Sequence, residues 1–114
     1  MKKQIRYELD GVMFGTDWYG NKGGNHLLIK TNEQGLEAIR KEPLQDFINF
    51  GLQSVDYVCF KVFRIEKYER NGYLITKETV EPIETIEAGE DLTEKEEEFL
   101  MDLLLEPPDV INYK

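Results

Sequence analysis

Cysteine and histidine are nearly absent from this sequence, which contains one of each, Cys59 and His26. A single cysteine cannot form an internal disulfide and excludes the multi-cysteine sites that hold zinc. With one histidine, a metal site would have to be built from carboxylates, and the sequence has no Asp-rich loop of the calcium-binding type. Cys59 lies in an apolar, strand-like run, which is typical of a small buried hydrophobic residue. We therefore expect no metal and no cofactor.

Long apolar runs are also absent. None approaches the roughly 20 residues that cross a bilayer, and the two lysines at the N-terminus are not followed by the apolar segment of a signal peptide. We therefore expect a cytoplasmic protein that does not contact a membrane. At 114 residues, with 40% hydrophobic and 32% charged residues, the chain fits a single α+β domain spanning 1–114.

Basic residues are scarce in the C-terminal third. Residues 1–77 carry 12 Lys+Arg against 10 Asp+Glu, whereas residues 78–114 carry 2 against 13, a net charge of −11. A surface of one sign attracts partners of the opposite charge and repels phosphate backbones. We therefore expect the acidic third, 78–114, to attract a basic protein and not to bind nucleic acid directly.

The acidic third begins with a glutamate at every third position from Glu78 to Glu90. In a helix these glutamates would be spread around the axis, because each one would be rotated by about 60° from the one before it. A flat strand would send successive glutamates to opposite faces, whereas a three-fold extended conformation would keep them in one row. Pro82 argues against a helix and for the edge of a sheet. We expect an extended edge segment and leave open whether its glutamates share one face.

Apolar and polar residues alternate in parts of the N-terminal half, and this alternation predicts strands. Residues 4–9 place apolar side chains on one face, the Asp10–Gly11 pair offers a type I′ turn, and residues 12–14 can return beside them as a first hairpin. Residues 26–30 form a second short apolar run. Both segments predict strands of an antiparallel sheet.

The strongest strand signal is the apolar run at 55–68, which we predict to be the central strand. Asn71–Gly72 after it is typical of a two-residue hairpin turn, which would set Tyr68 against Ile75. The acidic extended segment would then continue the returning strand.

Three helices are predicted. Thr31–Asn32 can cap a helix over 32–41, and Pro43 and Gly51 bound a second one over 43–50. Thr93 to Glu96 forms a capping box ahead of an apolar stripe, which predicts a helix over 93–106. We expect an antiparallel sheet with two or three short helices packed on one face.

The glycine-rich loop at 15–26 is the first candidate site. It resembles a phosphate loop only in part, because Asn21 separates the second glycine from Lys22 and no helix follows. As a contact surface it offers rigid aromatic area and polar groups, although we favour the alternative of a structural loop whose Trp18 folds back into the core. The loop contacts we single out are Asp17, Trp18, Tyr19, Lys22, Asn25 and His26.

Catalytic residues are not apparent. A nucleophile relay needs a base beside a serine, cysteine or threonine, and His26 and Cys59 lie 33 positions apart without a supporting motif. Carboxylates are so numerous that any spacing suited to acid–base chemistry carries no information. We assign no catalytic residue and favour a protein that is not an enzyme.

The leading hypothesis is a non-enzymatic binding protein that uses its acidic third against a basic partner. By analogy of size and charge, such a protein could be a mobile-element inhibitor that blocks the basic groove of a restriction or CRISPR nuclease. The alternative for the acidic residues is a surface that only keeps the protein soluble. The partner-binding residues of the hypothesis are Glu78, Glu81, Glu84, Glu87, Glu90, Asp91, Glu94, Glu97 and Glu98.

Two rival functions belong to other classes. The first is a small-ligand-binding protein or modest enzyme that uses the 15–26 loop. The second is a homo-oligomeric structural protein whose exposed sheet edge pairs with its own copy. The sequence leaves the oligomeric state open.

Overall fold

Five strands and two helices make up the described part of the chain, which is residues 2–45, 52–70 and 73–113 of a computed structural model. The strands form one mixed sheet in the order β4-β3-β1-β2-β5. Neighbours are antiparallel except β2 and β5, which are parallel. The α+β class is confirmed, although the sheet is mixed. In chain order the elements are β1 (Lys2–Thr16), β2 (Lys22–Thr31), α1 (Glu33–Lys41), β3 (Ser54–Arg70), β4 (Tyr73–Gly89), α2 (Glu94–Leu104) and β5 (Asp109–Tyr113).

The first strand runs without a break through Asp10–Gly11, so the predicted turn and first hairpin are wrong. β1 pairs with β2 on one side and with β3 on the other along this stretch. A Cβ atom at Gly11 would lie 1.9 Å from the carbonyl oxygen of Cys59 in β3. Glycine is therefore needed at position 11 because the neighbouring backbone comes close, and the long-range pairing overrides the local turn preference.

The two helices lie on opposite faces of the sheet, because alternate residues of β1 belong to two different apolar clusters. Leu9 and Met13 pack with Leu36 and Ile39 of α1. Residues 12 and 14 pack with Leu100 of α2. We call these the α1 face and the α2 face. The expectation that the helices share one face is wrong for the two described helices.

The α1 helix confirms the prediction over 32–41. Asn32 is its N-cap and accepts a hydrogen bond from the backbone N–H of Gly35 at 2.8 Å. Leu36 and Ile39 are buried against the sheet. The second predicted helix, 43–50, falls mostly outside the described residues, and positions 43–45 form a turn.

The α2 helix confirms the prediction over 93–106. Thr93 is its N-cap, and the capping box is complete, with Thr93 N–H donating to Glu96 and Glu96 N–H donating to the Thr93 hydroxyl. Leu100 is the fully buried residue of its inner face. Within the described ranges, neither helix is long and apolar enough to cross a membrane.

The β3–β4 hairpin differs from its predicted register. β3 is an interior strand, as expected of residues 55–68, but β1 occupies the centre of the sheet. Tyr68 lies opposite Lys77, two residues beyond the predicted Ile75. A register shift between Tyr68 and Arg70 accounts for the difference, and the Asn71–Gly72 turn itself lies outside the described residues. The edge position predicted for the acidic segment is confirmed, because β4 is one of the two edge strands of the sheet.

We predict that Gly11→Ala destabilises the protein, because the new methyl group must displace the β3 backbone. Overpacking of this kind costs roughly 1–3 kcal/mol. Gly23→Ala in β2 is the matched control, since nothing lies within 4 Å of its Cβ position, and it should be neutral or stabilising by up to about 1 kcal/mol. Urea unfolding measures both variants. Equal stability of the two would contradict the continuous β1 strand.

Candidate functional site

The glutamates of β4 do not form one row. Glu84 lies opposite Val62 and Glu81 opposite Arg64, which places both on the α1 face. Glu87 lies opposite Cys59, which places it on the α2 face. Glu81 and Glu84 are three positions apart and would face opposite sides of a regular strand. They share a face because Ile83 is an extra residue in β4, where the register changes. On the α2 face, Glu78 lies opposite Lys67, far along the strand from Glu87.

Two of these glutamates bind groups of the fold itself. Arg40 of α1 donates to Glu84 and also to Glu37. These hydrogen bonds, to Glu84 first, raise the pKa of the Arg40 guanidinium above its ordinary value. On the other face the Tyr57 hydroxyl donates to Glu87 at 2.8 Å. Burial, together with this hydrogen bond, raises the pKa of the Tyr57 phenol. Glu84 and Glu87 therefore fasten β4 to its neighbours.

The remaining acidic candidates lie where β4 ends and α2 begins. Glu90 and Asp91 are exposed in the connection, and Glu94, Glu97 and Glu98 are exposed on the helix. The first turn of a helix favours negative charge, because its free N–H groups carry the positive end of the helix dipole. This part of the chain can therefore concentrate carboxylates without destabilising the helix.

The predicted loop at 15–26 is a tight turn between two strands. β1 continues to Thr16 and β2 starts at Lys22, so only five residues lie between them. The Asp17 carboxylate accepts hydrogen bonds from the backbone N–H groups of Tyr19 and Asn21, each at 2.9 Å. Gly20 completes the turn with a φ of 83°, which favours glycine. The exposed loop predicted over 15–26 is therefore shorter than expected, because the two strands continue to Thr16 and from Lys22.

The turn holds two aromatic side chains in solvent. Trp18 is 69% exposed and Tyr19 is 89% exposed. The alternative that Trp18 folds back into the core is therefore wrong. Two exposed aromatic side chains on a turn held by hydrogen bonds are typical of a contact surface, because they lose little conformational entropy when they bind.

The turn and the first acidic residues after β4 lie at the same end of the sheet. Lys22 forms a 2.6 Å salt bridge with Asp56 of β3, and the Asp56 carbonyl accepts a hydrogen bond from Glu90 N–H at 2.9 Å. The pKa of the Lys22 ammonium is raised, first by its hydrogen bond to Asp56 and further by the charges of Glu90 and Glu96. We call this region the acidic-aromatic end and define it by Trp18, Tyr19, Glu90, Asp91 and Glu94.

His26 and Asn25 belong to β2 and not to the turn. The two ring nitrogens of His26 contact two acceptors, the Asp10 carboxylate and the Glu106 carbonyl, each at 2.7 Å. Only the imidazolium form donates from both nitrogens. Burial alone lowers the pKa of His26, but the hydrogen bonds to Asp10 and Glu106 outweigh it, so this pKa is raised above 6.5.

His26 and Cys59 line the same pocket on the α2 face. Both His26 nitrogens are engaged elsewhere, so neither is free to accept a proton from the thiol. Burial raises the pKa of the Cys59 thiol, which opposes formation of a nucleophilic thiolate. In this arrangement His26 fastens the connection between α2 and β5 to the sheet and does not activate Cys59.

We predict that the stability contributed by His26 depends on pH. Its folded-state pKa lies above the unfolded value of 6.5, so the contribution is fully present below about pH 6.5 and is lost as pH rises through the folded-state pKa. The unfolding free energy of the wild type should therefore fall between pH 6 and pH 9 by more than that of His26→Gln. Because the chain has one histidine, NMR of its ring protons gives the folded-state pKa directly. A midpoint at or below 6.5 would exclude this role.

The structure thus unites the aromatic turn with the first acidic residues after β4, and it separates Glu78, Glu81 and Glu84 from them. This grouping could not be predicted from the sequence, because it depends on the pairing of β1 with β3 and of β3 with β4.

In the part of the chain that the structure describes, no group of three or more His, Cys, Asp or Glu side chains is placed to hold a metal ion. No family model, curated protein or solved structure matches this chain.

Proposed function

We propose that this protein is a non-enzymatic binding protein that docks on a basic protein partner through its acidic-aromatic end. The observation that carries the proposal is the position of the exposed Trp18 and Tyr19 at the same end of the sheet as the carboxylates of Glu90, Asp91 and Glu94. Tryptophan and tyrosine supply much of the energy at protein interfaces, and charges around them steer the partner.

The competing interpretation is that the acidic residues only keep the protein soluble. A surface selected for solubility would not hold Trp18 and Tyr19 in water on a turn fixed by two backbone N–H groups that donate to the Asp17 carboxylate. The turn is held by hydrogen bonds, is exposed and is apolar at its tip, and the carboxylates lie at the same end of the sheet. This combination supports docking over solubility alone.

For the class of partner, we propose a nucleic-acid enzyme, because such proteins expose strongly basic grooves. The narrowest form of this proposal is an inhibitor that a mobile element uses against a restriction or CRISPR nuclease. This form rests on charge and size. The β4 glutamates are divided between two faces, with Glu81 and Glu84 on the α1 face and Glu78 and Glu87 on the α2 face. The proposed contact therefore uses the end of the sheet and not a one-sided row that copies a phosphate strand.

We predict that association with the partner is steered by the carboxylates of the acidic-aromatic end. The partner is first captured from the native host by affinity purification, identified by mass spectrometry and purified. Stopped-flow measurement should then give an association rate that falls at least about tenfold when the salt concentration rises from 50 to 500 mM. The triple variant Glu90→Gln, Asp91→Asn, Glu94→Gln should lower the rate and flatten its salt dependence.

The matched control removes the same charge elsewhere. Glu33, Glu78 and Glu81 are exposed and lie away from this end, since Glu33 follows Thr31 opposite Tyr7 and the other two lie opposite Lys67 and Arg64. Their replacement by glutamine changes the net charge equally. If this control slows association as much as the variant at the end does, only net charge matters. The proposed location would then be wrong.

We predict a different kinetic effect for Trp18→Ala. The side chain is an apolar anchor in the proposal, so its loss should cost roughly 2 kcal/mol or more of binding free energy and act mainly on the dissociation rate. Trp18→Phe, which keeps part of the apolar area, should lose less. Since the side chain is exposed, the unfolding free energy should change by no more than about 0.5 kcal/mol. An unchanged dissociation rate would remove Trp18 from the contact.

A further inference from the structure

His26 lies where the chain leaves α2 and enters β5. Its Nδ1 atom is 2.7 Å from the carbonyl of Glu106, just after α2, and its Nε2 atom is 2.7 Å from the carboxylate of Asp10 in β1. The histidine side chain is 9% exposed, so the ring is nearly shielded from water. Three residues after Glu106, β5 begins at Asp109. One ring thus joins the sheet to the connection that leads into β5.

The number of protons on the ring decides whether both contacts hold. A carboxylate and a carbonyl both accept hydrogen bonds, and only the imidazolium donates from both nitrogens. When the ring loses one proton, the other stays on Nε2, because a hydrogen bond to the charged Asp10 carboxylate is the stronger of the two. Nδ1 then presents a lone pair to the Glu106 carbonyl. The contact to the sheet persists, and the contact to the connection becomes repulsive.

The surroundings of the ring favour its second proton. Burial lowers the pKa of His26, but the hydrogen bonds to Asp10 and to the Glu106 carbonyl outweigh it, and the Leu103 carbonyl at the end of α2 adds to them. The pKa is therefore raised above 6.5.

Other charged and titratable side chains lie on the α2 face around the ring. They are Glu8 of β1, Lys30 of β2, and Cys59 and Lys61 of β3. Lys61 lies opposite Asp10 and opposes the imidazolium, whereas burial raises the pKa of the Cys59 thiol and keeps it neutral. At the end of α2 the carboxylates of Asp102 and Glu106 are exposed. β5 places Val110 and Asn112, which do not titrate, on this face.

The strand that follows the connection is weakly attached. β5 pairs only with β2, over the five residues 109–113, and the pairing is parallel, which is slightly less stable per residue than antiparallel pairing. Val110 is 56% exposed, and Ile111 and Tyr113 are half-buried. The other four strands pair with one another without β5. β5 can therefore leave while the rest of the sheet stays formed.

We propose that His26 is a latch for the C-terminal segment, which we define as residues 105–113. The protonated ring holds this segment on the sheet, and loss of the proton releases the connection and β5 while β1 to β4 stay paired. Release frees the backbone of β2 from Leu27 to Thr31, so β2 changes from an interior strand to an edge that can accept another strand.

The direction of the pH dependence follows from the position of the proton. The closed segment binds the proton more tightly than the open one, so the latch is fully closed below about pH 6.5 and opens as pH rises through the folded-state pKa of His26.

Hydrogen exchange of the full chain, followed by NMR, tests the latch. Protection is the intrinsic exchange rate of an amide divided by its observed rate, so it excludes the direct effect of pH on exchange. The β5 amides that are protected at pH 6 should lose protection roughly three- to tenfold by pH 8.5, which is the effect of one hydrogen bond. The midpoint should match that of the His26 ring protons. Constant protection, or no protected β5 amide at pH 6, would overturn the proposal.

Dilute urea separates release of the segment from unfolding of the whole chain. Local release exposes little surface, so β5 protection should change little with urea. Protection of the Val58 and Phe60 amides in β3, which is paired on both sides, should fall steeply. If β5 and β3 amides agree in protection and in urea dependence, the segment leaves only when the chain unfolds, and the latch is wrong.

Two variants connect the pH dependence to the ring. His26→Gln does not titrate in this range, so its β5 protection should not depend on pH. Lys30→Gln is the matched control, because it removes one positive charge from the same face of β2, and it should keep the pH dependence of the wild type. Equal behaviour of the two variants would contradict the latch.

Asp10→Asn tests the latch with the histidine in place. It keeps an acceptor oxygen beside Nε2 and removes the charge that favours the imidazolium. The midpoint of β5 release should therefore move to lower pH, together with the midpoint of the His26 ring protons. If the midpoint of release stays where it is in the wild type, the two-contact geometry does not control the segment and the proposal fails.

Discussion

The architecture depends on the pairing of β1 with β2 on one side and with β3 on the other, which continues through Asp10–Gly11. Because side chains alternate along a strand, one chain segment supplies Leu9 and Met13 to the α1 face and Val12 and Phe14 to the α2 face. Gly11 is required by the same pairing, since the β3 backbone fills the space of a side chain there. A break in β1 would therefore disrupt both clusters and the contacts between the sheet and both helices.

Elements with strong local signals could be predicted from the sequence, and those decided by distant pairing could not. Both described helices followed from their caps, Asn32 and Thr93, which act within one turn. Asp10–Gly11 carries an equally local turn signal, but buried residues on both sides of it gain more from staying in the sheet. β5 is too short to give a pattern, and it is fixed by its parallel pairing with β2.

The candidate site was predictable in its residues and not in its grouping. The aromatic residues of the turn and the acidic segment each stand out in the composition of the sequence. The exposure of Trp18 did not follow from it, because the favoured interpretation placed this side chain in the core. Their proximity depends on the pairing of β1 with β3 and of β3 with β4. It also depends on Asp56, an extra residue of β3 where its register with β1 shifts, because the Asp56 carbonyl accepts from Glu90 N–H and its carboxylate binds Lys22. Likewise the period of three in β4 could not fix the faces of its glutamates, since the bulge at Ile83 changes the alternation.

The acidic residues divide into those that hold the fold together and those that only shape its electrostatic field. Glu84 binds Arg40 of α1 and Glu87 binds Tyr57 of β3, so each fastens the edge strand. Glu90, Asp91 and Glu94 are exposed where water screens them. Charge at Glu90 and Asp91, which precede the helix, can therefore change without altering the sheet or α2. A docking surface needs this separation, because its affinity and its partner can then change while the fold remains intact.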